Sequence, residues 1–338
     1  MQAILLNGPQ AQSASLFKSQ PEAAEDSDEG TDDAPVTGYG GGHGVRKTIL
    51  DPAAAAAKLA KDTQRAQAYK ELSDTVNAMR HAEDYSSDAF ANTLALLKLN
   101  PEYYTIWNYR RNIFLKGLFP ACDKDAQAKQ DLITSELKLL QAILQDYPKV
   151  YCLWVHRKWC LGQCPWPDWQ RELMLVTRML EQDARNFHVW EYRRYVVGQL
   201  EQAEERSLAE REFEYTTAAI SHNFSNFSAW HNRTKLIPTL LLEAGDTADV
   251  REGRRAQLLK DELTLLKDAL FTDPDDQSVW LYHKWLLNPD SGPAEQFPLA
   301  PQDVAARIAL LQQELEMIDA LLEEEPGHVW CLDARCVY

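Results

Sequence analysis

Leucines recur through most of the chain near positions i, i+3, i+4 and i+7, the spacing of one face of an α-helix. Clear examples lie at residues 132–144, 173–180 and 263–270. Asp51 followed by Pro52 marks a helix start, because aspartate accepts hydrogen bonds from the first backbone N–H groups and proline suits the first helical position. From residue 52 onward no Asn-Gly turn joins two alternating apolar runs. The pattern predicts an all-α protein.

A motif centred on tryptophan repeats along this helical region. Most copies have a polar or proline-bearing turn, an aromatic residue three positions before the tryptophan, and a base three positions after it. The tryptophans are Trp107, Trp154, Trp190, Trp230, Trp280 and Trp330, at intervals of 47, 36, 40, 50 and 50 residues. Because an amphipathic segment precedes each copy, one unit is a helical hairpin. Stacked hairpins predict a solenoid, specifically a right-handed α-α superhelix.

The repeated residues are expected to be mainly structural. A tryptophan that recurs at one place in every repeat usually packs neighbouring repeats together. The base three positions on lies almost one helical turn away, where it can bond turn carbonyls or pair with an acid of the adjacent repeat. These bases are Arg110, Arg157, Arg193 and Arg233.

Composition narrows the possible functions. With 51 acids against 35 bases the formal net charge is −16, which disfavours a nucleic-acid-binding protein. No run of about 18 apolar residues predicts a membrane span, and the start lacks the pattern of a secretory signal. The six cysteines are therefore expected to be reduced thiols in a cytoplasmic protein. Residues 1–42 contain seven acids, one base and a glycine-rich end, which predicts a disordered tail ahead of a repeat domain at residues 43–338.

No independent catalytic motif stands out. Phosphate-binding glycine loops, His-Glu-x-x-His and Cys-x-x-Cys are all missing from the sequence. His156, Cys160 and Cys164 are spaced so that they can share one helical face, as zinc ligands do. A structural zinc site usually has a fourth ligand, and Pro165 ends the helix there. Buried thiols are the favoured interpretation, and we predict no metal or cofactor site in this chain.

The repeat resembles the protein prenyltransferase α-subunit repeat, whose pattern is aromatic, two variable residues, Trp, two variable residues, Arg. The match runs over roughly residues 43–335. Segments 185–194, 223–231 and 272–280 resemble the Rab geranylgeranyltransferase (type II) branch, in its compact fungal form. The sixth copy stops at Tyr338, where the family would complete another helix, so the last repeat is expected to be truncated.

The resemblance implies an enzyme subunit that is active only as an obligate heterodimer. Its partner is a prenyltransferase β subunit, which carries the zinc and the isoprenoid pocket. The reaction transfers geranylgeranyl from geranylgeranyl diphosphate to carboxyl-terminal cysteines of Rab GTPases, which a Rab escort protein presents. Nucleic acid and stable membrane insertion have no part in it.

The resemblance also implies three catalytic residues near the diphosphate. Lys149 and Tyr151 match a lysine and a tyrosine that face the diphosphate, although the family's usual asparagine between them is Val150 here. His188 matches a histidine near the same phosphates. We expect the Tyr151 ring to be needed for packing, with only its hydroxyl available for chemistry. His43, in a segment that resembles the family's amino terminus, could reach the partner's active site.

Two alternatives remain open at this stage. The chain could be a non-enzymatic helical-repeat scaffold that binds peptides, or the α subunit shared by farnesyltransferase and geranylgeranyltransferase type I.

Overall fold

A computed structural model describes residues 51–122, 125–243, 247–287, 299–301 and 303–338. Within these residues the regular structure is entirely helical, as predicted. None of the described helices is both long enough and apolar enough to cross a membrane. The helices are α1 (Pro52–His81), α2 (Ser87–Leu99), α3 (Tyr104–Ile113), α4 (Phe119–Ala121), α5 (Ala126–Asp146), α6 (Tyr151–Gln163), α7 (Trp169–Gln182), α8 (Phe187–Glu204), α9 (Ala209–His222), α10 (Phe227–Glu243), α11 (Ala248–Thr272), α12 (Gln277–Leu287), α13 (Val304–Glu324) and α14 (Val329–Val337).

Consecutive helices pack as pairs, which confirms the predicted hairpins. The pairs within the described residues are α2/α3, α5/α6, α7/α8, α9/α10, α11/α12 and α13/α14, with α1 packed on α2. The second helix of one pair also touches the second helix of another, as α3 touches α6 and α6 touches α8. Asp51 caps α1 as expected, since its carboxylate accepts from the backbone N–H groups of Ala53 and Ala54 at 2.9 Å.

The recurrent tryptophans close the turn inside each hairpin. Five of them are almost fully buried, and the indole Nε1 of each donates to the carbonyl oxygen six residues earlier, at 2.7–3.0 Å. The donor and acceptor pairs are Trp107 to Pro101, Trp154 to Pro148, Trp190 to Ala184, Trp230 to Phe224, and Trp280 to Pro274. The tryptophan therefore fixes where the chain turns as well as filling the core.

The recurrent arginines join one hairpin to the next. Each guanidinium donates two hydrogen bonds of 2.5–2.8 Å to a buried glutamate on the first helix of the following pair. The pairs are Arg110–Glu136, Arg157–Glu172, Arg193–Glu212 and Arg233–Glu262. The predicted structural role is confirmed, with an acid of the adjacent repeat as the partner.

Three of these glutamates accept another bond from the second helix of their own pair. The donors are His156 to Glu136 at 3.0 Å, Tyr192 to Glu172 at 2.7 Å, and Tyr282 to Glu262 at 2.6 Å. Each of these carboxylates thus ties three helices together, and its buried charge is matched by a cation and a further donor, as burial requires. In the fifth unit His283 replaces arginine and lies 2.8 Å from Glu314.

The first unit departs from the regular pattern. After α3 the chain forms a π-helical turn, Phe114–Leu118, before α4. Gly117 in this turn lies so close to Tyr85 that a Cβ atom at Gly117 would sit 2.2 Å from the Tyr85 carbonyl oxygen. The turn brings Phe114 and Phe119 against Trp159 of α6, with ring centroids 5.6 and 6.2 Å apart. Only glycine at position 117 lets the backbone of this turn come so close to Tyr85.

Several sequence predictions fall outside the described residues. They are the disordered tail of residues 1–42, the domain boundary at residue 43, and the approach of His43 to a partner's active site. They stay predictions. At the other end, α14 packs against α13 and α12.

Candidate functional site

Two of the three predicted catalytic residues meet at the junction of the second and third Trp-centred repeats. Tyr151 begins α6 and His188 lies in the first turn of α8. Their rings contact edge to face, with centroids 4.2 Å apart. His188 is buried, whereas the Tyr151 ring is largely exposed. Because α6 and α8 are neighbouring second helices, residues 37 positions apart in the chain (151 and 188) become contacts.

Lys149 reaches the same junction from the turn before α6. Its side chain is 71% exposed, and its Nζ atom lies 3.4 Å from Oδ2 of Asp183 in the turn before α8. No side chain caps the start of α6, where Val150 stands, while Asn186 caps α8 by accepting from the N–H groups of His188 and Val189. The α6 start therefore carries the partial positive charge of uncapped N–H groups beside the Lys149 cation.

The aromatic row before the tryptophans is exposed, which corrects the expectation that these rings are needed for packing. The residues are Tyr104 (68% exposed), Tyr151 (64%), Phe187 (58%) and Phe227 (47%). Tyr151 and Phe187 contact each other across repeats, with centroids 6.1 Å apart. The tryptophans three positions later are buried, so the two positions differ in exposure although residues three apart usually lie on the same side of a helix. Spacing alone did not reveal this.

His188 has a pKa below the ordinary histidine value. Burial is the main cause, the positive charge of Lys149 lowers the pKa further, and Glu191 acts in the opposite direction. The imidazole is therefore held towards its neutral form near pH 7. A neutral ring still offers one N–H donor, so His188 can donate to an anion without carrying a charge of its own.

A shallow concavity of about 600 Å³ extends from this junction and adds residues that the sequence argument missed. Tyr151, Phe187 and His188 line it, together with Lys158 and Arg194. Lys158 pairs with Glu191 at 2.6 Å, and Arg194 donates to Asn232 at 2.9 Å. The available signal was the second base, four positions after the tryptophan, which occurs in both repeats. The concavity thus combines exposed aromatic rings with cations.

The His156, Cys160 and Cys164 trio has other partners. His156 accepts from Arg111 at Nδ1 and donates to Glu136 from Nε2, and Cys164 Sγ lies 3.0 Å from the Gln130 side-chain oxygen. Burial raises the pKa of the Cys160 thiol well above its usual value, which opposes the thiolate that a metal needs. Across the described ranges, no group of three or more His, Cys, Asp or Glu side chains could hold a metal ion.

The helical repeats of this chain match those of known proteins. The family model described as protein prenyltransferase alpha subunit repeat matches residues 80–117, 133–164, 169–200, 209–240 and 259–288. The geranylgeranyl transferase type-2 subunit alpha of Schizosaccharomyces pombe is 43% identical over 298 residues, covering 88% of this chain and 85% of that protein. This chain belongs to the protein prenyltransferase α-subunit family. The resemblance inferred from the tryptophan repeats is thereby confirmed.

A second relative and a solved structure are also similar to this prenyltransferase α subunit. The geranylgeranyl transferase type-2 subunit alpha of Candida albicans is 36% identical over 307 residues, covering 84% of this chain and 82% of that protein. Among solved structures, a chain of Candida albicans protein geranylgeranyltransferase-I complexed with GGPP superposes with a TM-score of 0.53. At 23% identity, over 79% of this chain and 88% of that one, it confirms the helical-repeat superhelix.

Proposed function

We propose that this chain is the α subunit of a heterodimeric type-2 (Rab) geranylgeranyltransferase. The enzyme transfers geranylgeranyl from geranylgeranyl diphosphate to carboxyl-terminal cysteines of Rab GTPases. The observation that carries the proposal is the 43% identity to a type-2 α subunit over most of both chains. The type-I likeness rests on 23% identity and concerns the fold alone. Neither the type-I α subunit nor a non-enzymatic scaffold is therefore favoured.

The partner in this proposal is a β subunit, to which the family resemblance assigns the zinc. We place it against the exposed aromatic row and the neighbouring concavity. Tyr104, Tyr151, Phe187 and Phe227 are large rings left in solvent in four repeats, and contiguous exposed apolar surface commonly marks a protein interface. Obligate interfaces of this kind typically bury about 2,000–5,000 Å² in total. Rab, presented by an escort protein, is the further partner.

The chemistry assigned to this chain is stabilisation of the departing pyrophosphate. As the bond to carbon 1 of the isoprenoid breaks, negative charge builds on the bridging oxygen. Lys149 supplies a cation, Tyr151 a hydroxyl donor and His188 an N–H donor at one junction. The uncapped N–H groups at the start of α6 add to the positive potential there. Such groups accelerate the reaction when they bind the transition state more strongly than the ground state.

We also place the enzyme in the cytoplasm, where the Rab substrates are prenylated in this scheme. All six cysteines are free thiols, which suits a reducing compartment.

The decisive experiment is reconstitution. The chain is co-expressed with a type-2 β subunit, and the purified product is tested for mass, zinc content and transfer of geranylgeranyl to a Rab protein with and without escort protein. We expect a stable heterodimer that contains zinc and modifies the Rab only when the escort protein is present. Failure to bind the β subunit contradicts the proposal. Efficient modification of a short carboxyl-terminal peptide without escort protein points instead to the type-I enzyme.

A further inference from the structure

Three hydrogen bonds hold Asp183 in the turn between α7 and α8. Its backbone N–H donates to the Met179 carbonyl at 3.0 Å, and its own carbonyl accepts from the N–H of Asn186 at 3.1 Å. The side-chain Oδ1 accepts from the N–H of Arg185 at 3.3 Å. The second carboxylate oxygen, Oδ2, is left to face Lys149 Nζ at 3.4 Å.

The turn itself does not need the negative charge of Asp183. In other repeats the residue at the same position, seven before the tryptophan, makes the same side-chain bond to the N–H two residues on. These bonds are Asn100 from Glu102 at 3.2 Å, Asn223 from Ser225 at 3.1 Å, and Asp273 from Asp275 at 3.1 Å. Asparagine serves in two of them. The charge of Asp183 is therefore free for another role, and the ion pair with Lys149 is what it makes.

The pair gives the exposed Lys149 cation a partner of opposite charge in the neighbouring turn. An exposed lysine has four rotatable bonds, and exposed ion pairs contribute little to folding stability. The pair does hold the Lys149 ammonium at the junction where Tyr151 and His188 meet. In keeping with this position, the charge of Lys149 acts on the pKa of His188. Burial lowers that pKa, Glu191 raises it, and Lys149 lowers it further.

We propose that Asp183 is a positioning residue that orients Lys149 towards the leaving pyrophosphate. This inference rests on the proposed function. The carboxylate also repels an incoming diphosphate, so it weakens binding of the ground state while it aligns the cation for the charge that develops later. Replacing a residue with a purely structural role in the turn would not slow transfer while leaving diphosphate binding unchanged or tighter.

The test is Asp183→Asn in the reconstituted heterodimer. The amide oxygen can still accept from the N–H of Arg185, so the turn is kept and only the charge is lost. We expect single-turnover geranylgeranyl transfer to slow by about tenfold, because misplacing one catalytic group can cost up to about 10²-fold. The Kd of geranylgeranyl diphosphate should stay the same or decrease, since a nearby negative charge has gone. Asp273→Asn is the same change in a turn where the described part of the chain places no lysine against the carboxylate. It is the matched control and should alter neither value.

A double-mutant cycle separates this inference from the proposed function. In a Lys149→Ala background, Asp183→Asn should cause no further slowing, because there is no cation left to orient. Equal slowing by Asp183→Asn with and without Lys149 overturns the positioning role. A wild-type rate in Asp183→Asn, alongside a slow Lys149→Ala enzyme, overturns it too and leaves the proposed function intact. A wild-type rate in Lys149→Ala instead removes the role proposed for Lys149 itself.

Discussion

Arg193 on α8 and Glu212 on α9 form a buried ion pair through two parallel hydrogen bonds, Nε to Oε2 and Nη2 to Oε1, each 2.7 Å long. The same guanidinium donates to Thr177 at 2.8 Å and lies over the Tyr215 ring, 3.5 Å from its centroid. The hydrogen bonds of the Arg193 guanidinium thus reach both α9, through Glu212, and α7, through Thr177. The arginine therefore sets the register between one hairpin and the next.

Removing that arginine should be costly. In Arg193→Ala the Glu212 carboxylate stays buried without its cation, and breaking a buried pair typically costs about 3–5 kcal/mol. Urea unfolding of the purified protein, followed by circular dichroism, measures the loss. Arg254→Ala removes an arginine from an exposed pair with Glu210 and should cost less than about 1 kcal/mol. An equal loss of unfolding free energy in the two variants would show that the buried pair stabilises the fold no more than the exposed one.

Alanine should destabilise the protein at Gly117 but not at Gly198. At Gly117 the new Cβ would meet the Tyr85 carbonyl at 2.2 Å, so the backbone must shift and the protein should lose stability. At Gly198, inside α8, no atom lies within 4 Å of the Cβ position, and alanine favours a helix over glycine by up to about 1 kcal/mol. Thermal unfolding should show a lower Tm for Gly117→Ala and an unchanged or higher Tm for Gly198→Ala.

The repeated framework could be predicted from the sequence because it depends on short spacings. Tryptophan, with arginine three positions on, fits within one helical turn, so its role could be read locally. The partner of each arginine could not, because Arg157 finds its glutamate 15 residues on and Arg233 finds its own 29 residues on. The connections between helices vary in length, and only the packed structure sets the register across them.

The candidate site was predicted less completely. Lys149, Tyr151 and His188 were suggested by family resemblance, since nothing in their spacing distinguishes them from surface or packing residues. The contact between Tyr151 and His188 arises from α6 lying beside α8, which is a tertiary relationship. The exposure of Tyr151 was mispredicted for the same reason. Periodicity shows that a ring recurs, but it does not show which side of the first helical turn faces the core.

Stability should fall on acidification through His156. Burial lowers the pKa of this histidine below its ordinary value of 6.5, despite the opposing effect of Glu136, and its Nδ1 accepts a bond from Arg111. Below about pH 6.5 this histidine binds a proton in the unfolded chain but stays neutral in the folded one. The free energy of unfolding therefore decreases as pH falls from there. His156→Gln keeps a donor for Glu136 but cannot titrate.

The comparison of interest is the pH slope of the unfolding free energy between about pH 6.5 and pH 5. His156→Gln should reduce that slope by up to about 1.4 kcal/mol per pH unit, the value for one proton. His222→Gln, at an exposed histidine at the end of α9, is the control for the histidine-to-glutamine change itself. Identical slopes for wild type and His156→Gln would mean that His156 takes no part in the acid sensitivity.

Lys149 and Tyr151 should affect the chemical step more than assembly. Losing one donor to developing charge typically costs about 10²–10³ in kcat, which we expect for Lys149→Ala in single-turnover transfer by the heterodimer. Tyr151→Phe keeps the exposed ring and removes only the hydroxyl, so it should slow transfer while β-subunit binding is unchanged. Lys98→Ala, at an exposed lysine on α2, is the control. Lys158 is unsuitable as a control because it lines the same concavity.

The charges around His188 can be tested without turnover. Burial lowers the pKa of His188, Lys149 lowers it further and Glu191 raises it. Lys149→Ala should therefore raise the pKa of His188, and Glu191→Gln should lower it, since each variant removes one of two opposing charges. The measurement is an NMR titration of the His188 ring signals, with Lys98→Ala as the reference. Burial remains in every variant, so the pKa should stay below the ordinary value of 6.5 even in Lys149→Ala. Shifts of the same sign in both variants, or none in either, would show that Lys149 and Glu191 do not hold their charges against the His188 ring.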